Sequence, residues 1–433
     1  MTASRSVNAD TPVTIRPPGD KSITHRALIF ASLANGASRI RGALTSLDAR
    51  SMARVLRQLG VEISPLKAGS EVVVTGRGLR GLRRPPAPLH CGNSGTTARF
   101  LLGTLASYRF PAWITGDASL RRRPMRRVTA PLSQMGAAFE ERNGDGLPLI
   151  VHGGPLRPLD YDMPVAAAQV KTALLLAGLT GRVAVRLREP GRSRDHTERM
   201  LRALGVPLDV TGEHLAFTPV DRIEAFDLDV PGDPSSAAFL IGAAILGIGA
   251  SRCGVRVAGV GVNPTRLGAV RVLERMGARL ALEPTGVTLG EPVADIVVHP
   301  SRLVACDVTP GEVPSLIDEV PILAVLASRA DGESVFRGVA ELRVKESNRL
   351  ELLAANLRAL GVTAEASADT LTVVGTDRPP RGRVETEGDH RIAMAFAVLG
   401  ALPGARVRLS ERASVAVSYP WFFDDLRKVR SGA

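Results

Sequence analysis

The chain of 433 residues is long enough for two or three ordinary domains, and its 45% hydrophobic and 23% charged residues are typical of a soluble globular protein. Its formal net charge of +12 is compatible with an arginine-rich surface, a cleft for anionic substrates or a nucleic-acid interface. Aromatic residues make up only 4% of the chain, which argues against stacking platforms for single-stranded nucleic acid. The longest apolar run, residues 237–250, is too short to span a bilayer and predicts a buried helix.

The first residues and the cysteines indicate a compartment. Residues 1–10 contain no hydrophobic signal core. Cys91, Cys253 and Cys306 fit neither a disulfide framework nor the spacing of a metal site. We therefore expect a cytoplasmic protein that is not bound to a membrane and holds no metal.

Amphipathic helices recur along the chain, and each is predicted to end at a glycine. In the first of them, Met52, Val55, Leu56 and Leu59 follow the i, i+3, i+4, i+7 spacing of one helix face. Glycine is the residue expected just past a helix end, where the backbone turns left-handed. After each glycine, two short strand-like runs surround a turn. The glycines are Gly60, Gly136, Gly205, Gly277 and Gly361.

A second, more apolar helix recurs six times. Because these segments are apolar on nearly all faces, they are expected in the interior. Each predicted unit therefore consists of a buried helix, a strand, a polar loop, an amphipathic helix and a hairpin, and six such α/β units fill the chain. The apolar segments are residues 27–34, 99–106, 173–180, 238–245, 320–327 and 392–399.

The apolar segments start 65–82 residues apart, and repeats of that length are too long for a solenoid. We therefore predict an α/β fold of two similar domains with three units each. The first domain is expected over residues 20–229, and the second over residues 1–19 together with 230–433. The sixth unit runs out at residues 422–429 without a hairpin. The strand-like run at residues 13–15 is predicted to complete it.

A polar cluster stands before or within the first turn of each apolar helix. The clusters are residues 19–22, 92–97, 166–171, 232–236, 316–319 and 388–391. Their Asp, Asn and Ser residues can be explained as helix caps, because a helix N-terminus has unsatisfied N–H groups and a partial positive charge. Capping does not explain the cations, which are disfavoured at that helix end and indicate an anionic ligand or a neighbouring carboxylate. These cations are Lys21, Arg26, Arg99, His390 and Arg391.

Two further basic clusters join them. Residues 117–127 contain five arginines within seven positions and form either a solvated loop or a loop that grips an anion, with Arg123 before Pro124 as the least mobile candidate. In residues 342–350, Glu346 and Arg349 are three apart and are predicted to form a surface pair that contributes ~0.2–0.5 kcal/mol. Only five of the 55 Lys and Arg residues are lysine, and two of these five open polar helix starts.

Seven segments together resemble signatures of the 5-enolpyruvylshikimate-3-phosphate synthase family, in that family's order. They are PPGDKSITHRA, CGNSGTTARFLLG, GDASLRRRPM, SRDHTERML, VPGDPSSAAF, LRVKESNRL and GDHRIAM. The resemblance runs from about residue 15 to 426. It implies an inside-out α/β barrel in each of two domains, with the active site in the cleft between them. It also implies transfer of the enolpyruvyl group of phosphoenolpyruvate to the 5-hydroxyl of shikimate 3-phosphate, in chorismate biosynthesis, by a monomer that uses no cofactor and no nucleic acid.

The resemblance also implies roles for individual residues. Asp318 would accept the proton of the 5-hydroxyl, and Glu346 would protonate the methylene carbon of phosphoenolpyruvate. Lys21 would reach both substrates, while Lys345 would hold the shikimate or assist proton transfer. The implied binding residues are Ser22, Arg26 and Ser193 for shikimate 3-phosphate, Asn93, Gly95 and Arg123 for the phosphate of phosphoenolpyruvate, Gln169 between the ligands, and Arg349, His390 and Arg391 at the carboxylate of phosphoenolpyruvate.

Four positions depart from the family pattern. Residues 166–168 lack the serine pair often found before the glutamine, and Glu341, Asn348 and Val417 stand where some members have asparagine, aspartate and lysine. Three alternatives remain open at this point. They are an enolpyruvyl transferase acting on a UDP-amino sugar, which would need a cysteine that residues 117–127 lack, a basic nucleic-acid-binding protein, and a paralogue with an altered shikimate-like acceptor.

Overall fold

The computed structural model describes residues 12–249 and 254–432, which divide into two compact units. Unit I consists of Gly19–Val230 and Val287–Glu291, and unit II of the other described residues. Cys253 and the leader prediction for residues 1–10 lie outside the described residues, while Cys91 and Cys306 are free thiols. Within the described ranges, every helix is too short or too polar to cross a membrane.

The six predicted apolar helices are confirmed, and we number the modules that they open from 1 to 6. All eight residues of the fifth helix are buried, as expected for a segment that is apolar on every face. The helices are α1 (Lys21–Leu33), α3 (Gly95–Leu105), α6 (Ala168–Gly181), α8 (Pro234–Ile245), α10 (Val320–Ala327) and α12 (His390–Gly400). Each unit has its own hydrophobic core, and its three apolar helices contribute buried side chains to that core.

The amphipathic helices are confirmed as well. They are α2 (Leu47–Gln58), α5 (Arg126–Met135), α7 (His196–Ala203), α9 (Gly268–Arg275), α11 (Arg349–Ala359) and α13 (Phe422–Ser431), and a short helix, α4 (Ala118–Arg121), precedes α5. All five predicted glycines follow a helix end at positive φ. At Gly136, for example, φ is 112° and the N–H bonds back to the Leu132 carbonyl, which closes the left-handed turn.

Unit I contains three four-stranded sheets, one for each of its modules. In each sheet the first two strands pair in parallel, and the hairpin of the module adds the last two in antiparallel fashion. In sheet order the strands are β13 (Asp227–Asp229), β2 (Ala37–Arg41), β4 (Val72–Thr75) and β3 (Glu62–Ile63); β5 (Leu89–His90), β6 (Pro111–Thr115), β8 (Leu149–His152) and β7 (Ala138–Glu141); and β9 (Leu159–Asp162), β10 (Val185–Arg188), β12 (His214–Phe217) and β11 (Leu208–Thr211).

The sheets of modules 4 and 5 repeat this pattern, while that of module 6 has two parallel strands among the described residues. The strands are β1 (Val13–Ile15), β14 (Val255–Gly261), β16 (Glu291–His299) and β15 (Arg279–Thr288); β17 (Asp307–Val308), β18 (Glu333–Arg337), β20 (Thr370–Val374) and β19 (Ala364–Ala366); and β21 (Arg381–Val384) with β22 (Arg406–Leu409).

The prediction that residues 13–15 complete the sixth module is wrong. Strand β1 pairs in parallel with β14 of module 4, with Val13 opposite Val255. Module 6 already has its own leading strand, because β21 directly precedes α12 and pairs with β22. Module 4 needs one, because β13, which precedes α8 along the chain, pairs with β2 of module 1. The two leading strands are thus exchanged between the first and fourth modules.

Candidate active site

Helix capping accounts for part of the polar clusters. The side chains of Asp20, Ser94, Asp233 and Asp389 each accept a hydrogen bond from a backbone N–H in the first turn of α1, α3, α8 and α12. These four residues therefore have the ordinary role of N-caps. The cations beside them need other partners, and the structure gives those partners separately in each unit.

In unit I, the first cations lie on α1. Lys21 is the first residue of the helix, and its ammonium is 3.6 Å from a carboxylate oxygen of Asp48. Arg26 is buried and donates to the hydroxyls of Thr197 at 2.7 Å and Thr172 at 2.9 Å, and to the carbonyl of Ser22 at 3.0 Å. Burial lowers the pKa of Arg26 to about 10, with Glu198 opposing the shift, so the guanidinium remains a cation at neutral pH.

His25 connects the starts of α1 and α3. Its Nδ1 is 2.7 Å from the Lys21 carbonyl and therefore carries the proton, so Nε2, 3.3 Å from the hydroxyl of Ser94, is the acceptor. The ring is fully buried, and this burial lowers the pKa of His25 to about 4. His25 is consequently neutral at physiological pH and holds the two helix starts together.

Arg123 and Asn93 form the next part of the site. The guanidinium of Arg123 donates to the side-chain oxygen of Asn93 at 2.7 Å, and the amide of Asn93 donates to Asp117 at 2.8 Å. Asp117 caps α4, so residues 118–121 of the predicted basic loop form a short helix. The contact of Asp117 with Asn93 anchors this helix to the start of α3. A Cβ at Gly95 would lie 3.5 Å from Arg123 Nη1, which places this glycine beside the same guanidinium.

Gln169 joins α6 to α3. Its amide nitrogen donates to the hydroxyl of Thr96 at 2.9 Å, and its oxygen accepts from Arg99 at 2.5 Å. Ser193 lies in the segment before α7, where it is buried, and its hydroxyl oxygen has no hydrogen-bond partner. Unit I thus brings together the starts of α1, α3 and α6 with Lys21, Arg26, Arg99 and Arg123, which is the environment that an anion requires.

In unit II, the charges converge on Arg349. Its guanidinium is 2.7 Å from Asp389, 2.6 Å from Glu346 and 3.7 Å from Asp318. Burial acts to lower the pKa of Arg349, but the carboxylates, led by Asp389, outweigh it and raise that pKa. Burial likewise acts to raise the pKa of Asp389, and Arg349 reverses this and lowers it. Glu346 and Arg349 form the predicted pair, but its predicted location at the surface is wrong, because Arg349 is only 1% exposed.

Arg391 and His390 open helix α12 next to these groups. Arg391 donates to the backbone carbonyl of Asp318 at 2.9 Å, which places its guanidinium beside the Arg349 cluster. His390 is buried, and its Nε2 has no hydrogen-bond partner. Burial lowers the pKa of His390 to about 4, so the ring is neutral at physiological pH. A neutral imidazole beside several guanidiniums does not add to the positive charge.

Lys345 forms an ion pair with Glu341 rather than with the carboxylates around Arg349. It follows a short 3₁₀-helix at Ala340–Val344, and its ammonium is 3.0 Å from the carboxylate of Glu341, one of the positions that depart from the family pattern. Its side chain is 21% exposed. Lys345 is therefore accessible to a ligand that exchanges with Glu341.

Two buried charge clusters were missed by sequence reasoning. In unit II, Arg266 donates to the hydroxyl of Ser235 at 2.7 Å and is 3.7 Å from Glu319. In unit I, Lys171 pairs with Glu189 at 2.8 Å and with Glu198 at 2.7 Å. Lys171 ends the third polar cluster and is one of only five lysines, and this position could have indicated a functional or structural role. Arg266 gave no comparable signal.

Taken by themselves, the clusters provide complementary chemistry. Unit I supplies cations and helix starts for anionic groups, while unit II supplies the carboxylates Asp318 and Glu346 on either side of one guanidinium. Two separate carboxylates of this kind can serve as a general base and a general acid. In the described part of the chain, no group of three or more His, Cys, Asp or Glu side chains is arranged to hold a metal ion.

The chain is similar over nearly its whole length to proteins of one known family. A family model described as EPSP synthase (3-phosphoshikimate 1-carboxyvinyltransferase) matches residues 8–426. Relatives named 3-phosphoshikimate 1-carboxyvinyltransferase occur in Bacillus cereus (strain G9842), 43% identical with 95% of both chains covered, and in Prochlorococcus marinus (strain MIT 9303), 47% identical with 96% of this chain and 95% of the relative covered. The structure of EPSP synthase from Acinetobacter baumannii matches with a TM-score of 0.86 at 37% identity, covering 96% of this chain and 95% of that one.

Proposed function

Since the chain belongs to the EPSP synthase family, we propose that its two charge clusters act together as one active site. The protein is a transferase that moves the enolpyruvyl group of phosphoenolpyruvate to shikimate 3-phosphate, in the biosynthesis of aromatic amino acids. The proposal concerns how the residues divide this work. The observation that carries it is the environment of Arg349, where the candidate acid and the candidate base share one buried guanidinium.

The proposed architecture is two domains, residues 20–229 and residues 1–19 with 230–433, each an inside-out α/β barrel with the active site in the cleft between them. The division of the described residues at Gly19 and Pro231 supports these bounds. The structural match at a TM-score of 0.86 supports the arrangement of an EPSP synthase. We also propose that the enzyme is a cytoplasmic monomer.

Unit I is proposed to bind both phosphates. Lys21, Ser22 and Arg26, at the start of α1, and the buried hydroxyl of Ser193 contact shikimate 3-phosphate. The guanidinium of Arg123 and the amide of Asn93, with Gly95 beside that guanidinium, bind the phosphate of phosphoenolpyruvate. Arginine is suited to this task because its planar fork of N–H groups matches phosphate oxygens in pairs. Gln169, which donates to the hydroxyl of Thr96 at 2.9 Å, is proposed to lie between the two ligands.

Unit II is proposed to bind the carboxylate of phosphoenolpyruvate and to move protons. The carboxylate of the substrate takes the place of the ion pairs that Glu346 and Asp318 form with Arg349 in the free protein, and Arg391 completes the clamp next to His390. In the free protein the carboxylate of Glu346 is paired with the guanidinium of Arg349 at 2.6 Å. Exchange of Glu346 for the substrate carboxylate therefore prepares it to carry a proton.

The reaction then needs two proton movements. The 5-hydroxyl oxygen of shikimate 3-phosphate forms a bond to C2 of phosphoenolpyruvate and gives its proton to Asp318, while C3 receives a proton from Glu346. In the second half, C3 returns a proton to Glu346, the C2–O bond to phosphate breaks, and the proton that Asp318 took up passes to the departing phosphate. Lys345 holds the shikimate, and Lys21 stabilises the charge of the departing phosphate.

A phosphate-release assay tests the proposal directly. Purified protein is incubated with phosphoenolpyruvate and shikimate 3-phosphate together, and with each omitted in turn. We expect phosphate release only when both are present, with 5-enolpyruvylshikimate 3-phosphate as the organic product. Release that is independent of shikimate 3-phosphate, or no release from folded protein with both substrates, would refute the proposed function.

A further inference from the structure

Helix α6 starts without a capping side chain of its own. Its N-cap residue is Ala167, whose methyl group cannot accept a hydrogen bond. The N–H of Ala167 instead donates to a carboxylate oxygen of Glu189 at 3.2 Å. Glu189 immediately follows β10 and lies 22 residues after Ala167, so a carboxylate at the end of the next strand fixes this helix start.

The second carboxylate oxygen of Glu189 fixes another segment. It accepts from the N–H of Ser193 at 3.4 Å and from the ammonium of Lys171 at 2.8 Å. One buried carboxylate therefore contacts the helix start that carries Gln169 and the segment that carries Ser193. These two residues are proposed to contact the substrates, and Glu189 joins the two segments that carry them.

Lys171 and Glu198 hold Glu189 in place. All three side chains are buried, and Lys171 also contacts Glu198 at 2.7 Å. Burial acts to lower the pKa of Lys171, but Glu198 and Glu189 outweigh it and raise that pKa, so the lysine stays charged. An ammonium is compact and directs three N–H groups, which suits a position between two carboxylates better than the planar guanidinium that this chain uses elsewhere.

The surrounding space makes the hydroxyl of Ser193 available. Glu189, Lys171, Glu198 and Ser193 all line a cavity of about 220 Å³ in unit I. The Ser193 hydroxyl oxygen is buried, and among the described residues it has no hydrogen-bond partner, although a buried hydroxyl usually has one. Its location therefore depends on the backbone of Ser193, which is held by the N–H bond to Glu189.

We infer that Glu189, held by Lys171 and Glu198, is a positioning residue for shikimate 3-phosphate. It sets the distance between Ser193 and the start of α6, and so the spacing of the groups that grip this substrate. The inference rests on the proposed function of the site. It assigns a task to a carboxylate that touches no reacting atom, at the helix start where the serine pair is absent.

The test compares two matched substitutions. Glu189→Gln keeps the size of the side chain but turns an N–H group towards Ser193 or Ala167. Glu213→Gln makes the same change on the wall of the same cavity, where the carboxylate of Glu213 accepts from the N–H of Gly191 and ion-pairs with Arg188. We expect Glu189→Gln to raise the KM for shikimate 3-phosphate about tenfold, since it loses one or two buried hydrogen bonds, with the KM for phosphoenolpyruvate and kcat changed less. Glu213→Gln should stay within about twofold of the wild type in all three.

A second variant covers the case in which Glu189→Gln does not fold. Lys171→Met combined with Glu198→Gln keeps the formal charge of the three side chains at −1 and removes the contact that holds Glu189. We expect the same selective rise in the KM for shikimate 3-phosphate. Hydrogen exchange of the Ala167 and Ser193 amides without substrate provides a readout that does not depend on activity, and both amides should exchange faster in each variant.

The outcomes separate the inference from the proposed function. If the wild type releases no phosphate, the proposed function fails, and amide exchange still tests whether Glu189 holds the two segments. If the wild type is active, unchanged KM and unchanged exchange in Glu189→Gln would overturn the inference. A fall in thermal stability with kcat and both KM values affected alike would overturn it as well, because that pattern indicates a structural role alone.

Discussion

Replacement of Glu346 by glutamine keeps the size of the side chain and removes its capacity to give and take a proton. The structure indicates that this change leaves the fold intact. Arg349 is surrounded by three carboxylates, so the cluster carries an excess of two negative charges, and the substitution reduces this excess to one. The contact of Asp389 with Arg349 at 2.7 Å remains. Because one contact of a buried guanidinium is weakened while Asp389 and Asp318 still balance its charge, we expect the free energy of unfolding to fall by no more than about 1–3 kcal/mol.

The effect on turnover is expected to be large. A general acid that protonates carbon typically contributes a factor of ~10²–10⁴, so kcat should fall at least ~100-fold. Binding of shikimate 3-phosphate should remain nearly intact, because its phosphate is assigned to unit I. Phosphate release measures kcat, and isothermal titration calorimetry with shikimate 3-phosphate measures binding.

Glu351→Gln is the matched control, since Glu351 lies in the first turn of α11 and pairs at the surface with Arg343 at 2.9 Å. It should leave turnover within about twofold of the wild type. Lost binding of shikimate 3-phosphate by a folded Glu346→Gln variant would refute the assignment. Turnover within tenfold of the wild type would refute the role of Glu346 as the acid.

Three further predictions concern unit I. Arg123→Leu should raise the KM for phosphoenolpyruvate by ~10–100-fold, the loss expected for a charge-assisted contact, whereas Arg122→Leu, at an exposed neighbour, should not. Burial lowers the pKa of His25 in the folded protein to about 4, below its ordinary 6.5. The contribution of His25 to the free energy of unfolding should therefore be full above about pH 6.5 and should fall by up to about 3 kcal/mol towards pH 4. Urea unfolding of His25→Gln should show a smaller fall over this pH range, and an identical fall would contradict the reasoning. Glyphosate should inhibit the wild type in the phosphate-release assay, and Gly95→Ala should weaken this inhibition, because its Cβ would lie 3.1 Å from Arg99 Nη1; equal inhibition of both would be the contrary result.

The repeated helices could be predicted from sequence because their signals are local. An apolar helix such as α10 and a glycine such as Gly136 are specified by residues within one or two turns. The same holds for the polar helix starts, where Asp20 and Asp389 could be recognised as caps from their spacing alone. The same local signals predicted the order of the modules along the chain, because they locate each apolar helix and each amphipathic helix in turn.

The pairing of β1 and the burial of Arg349 could not be predicted in this way. Val13 pairs with Val255, and a strand of three residues carries no information about a partner 242 positions away. Arg349 is buried because Asp389 and Asp318 come to it from other segments, and an arginine with a glutamate three residues before it is more often exposed. Both errors come from contacts between distant segments, which local periodicity does not encode.

The exchange of β1 and β13 has a consequence for biosynthesis. On the ribosome, unit I receives its last leading strand when Asp227–Asp229 emerges, so its three sheets can close while the rest of the chain is still being translated. Strand β1 is made first, yet it must wait for Val255–Gly261 before it can pair. The earliest strand of the nascent protein is therefore left with an open edge while more than two hundred residues are added, and translation order makes unit II the later of the two to mature.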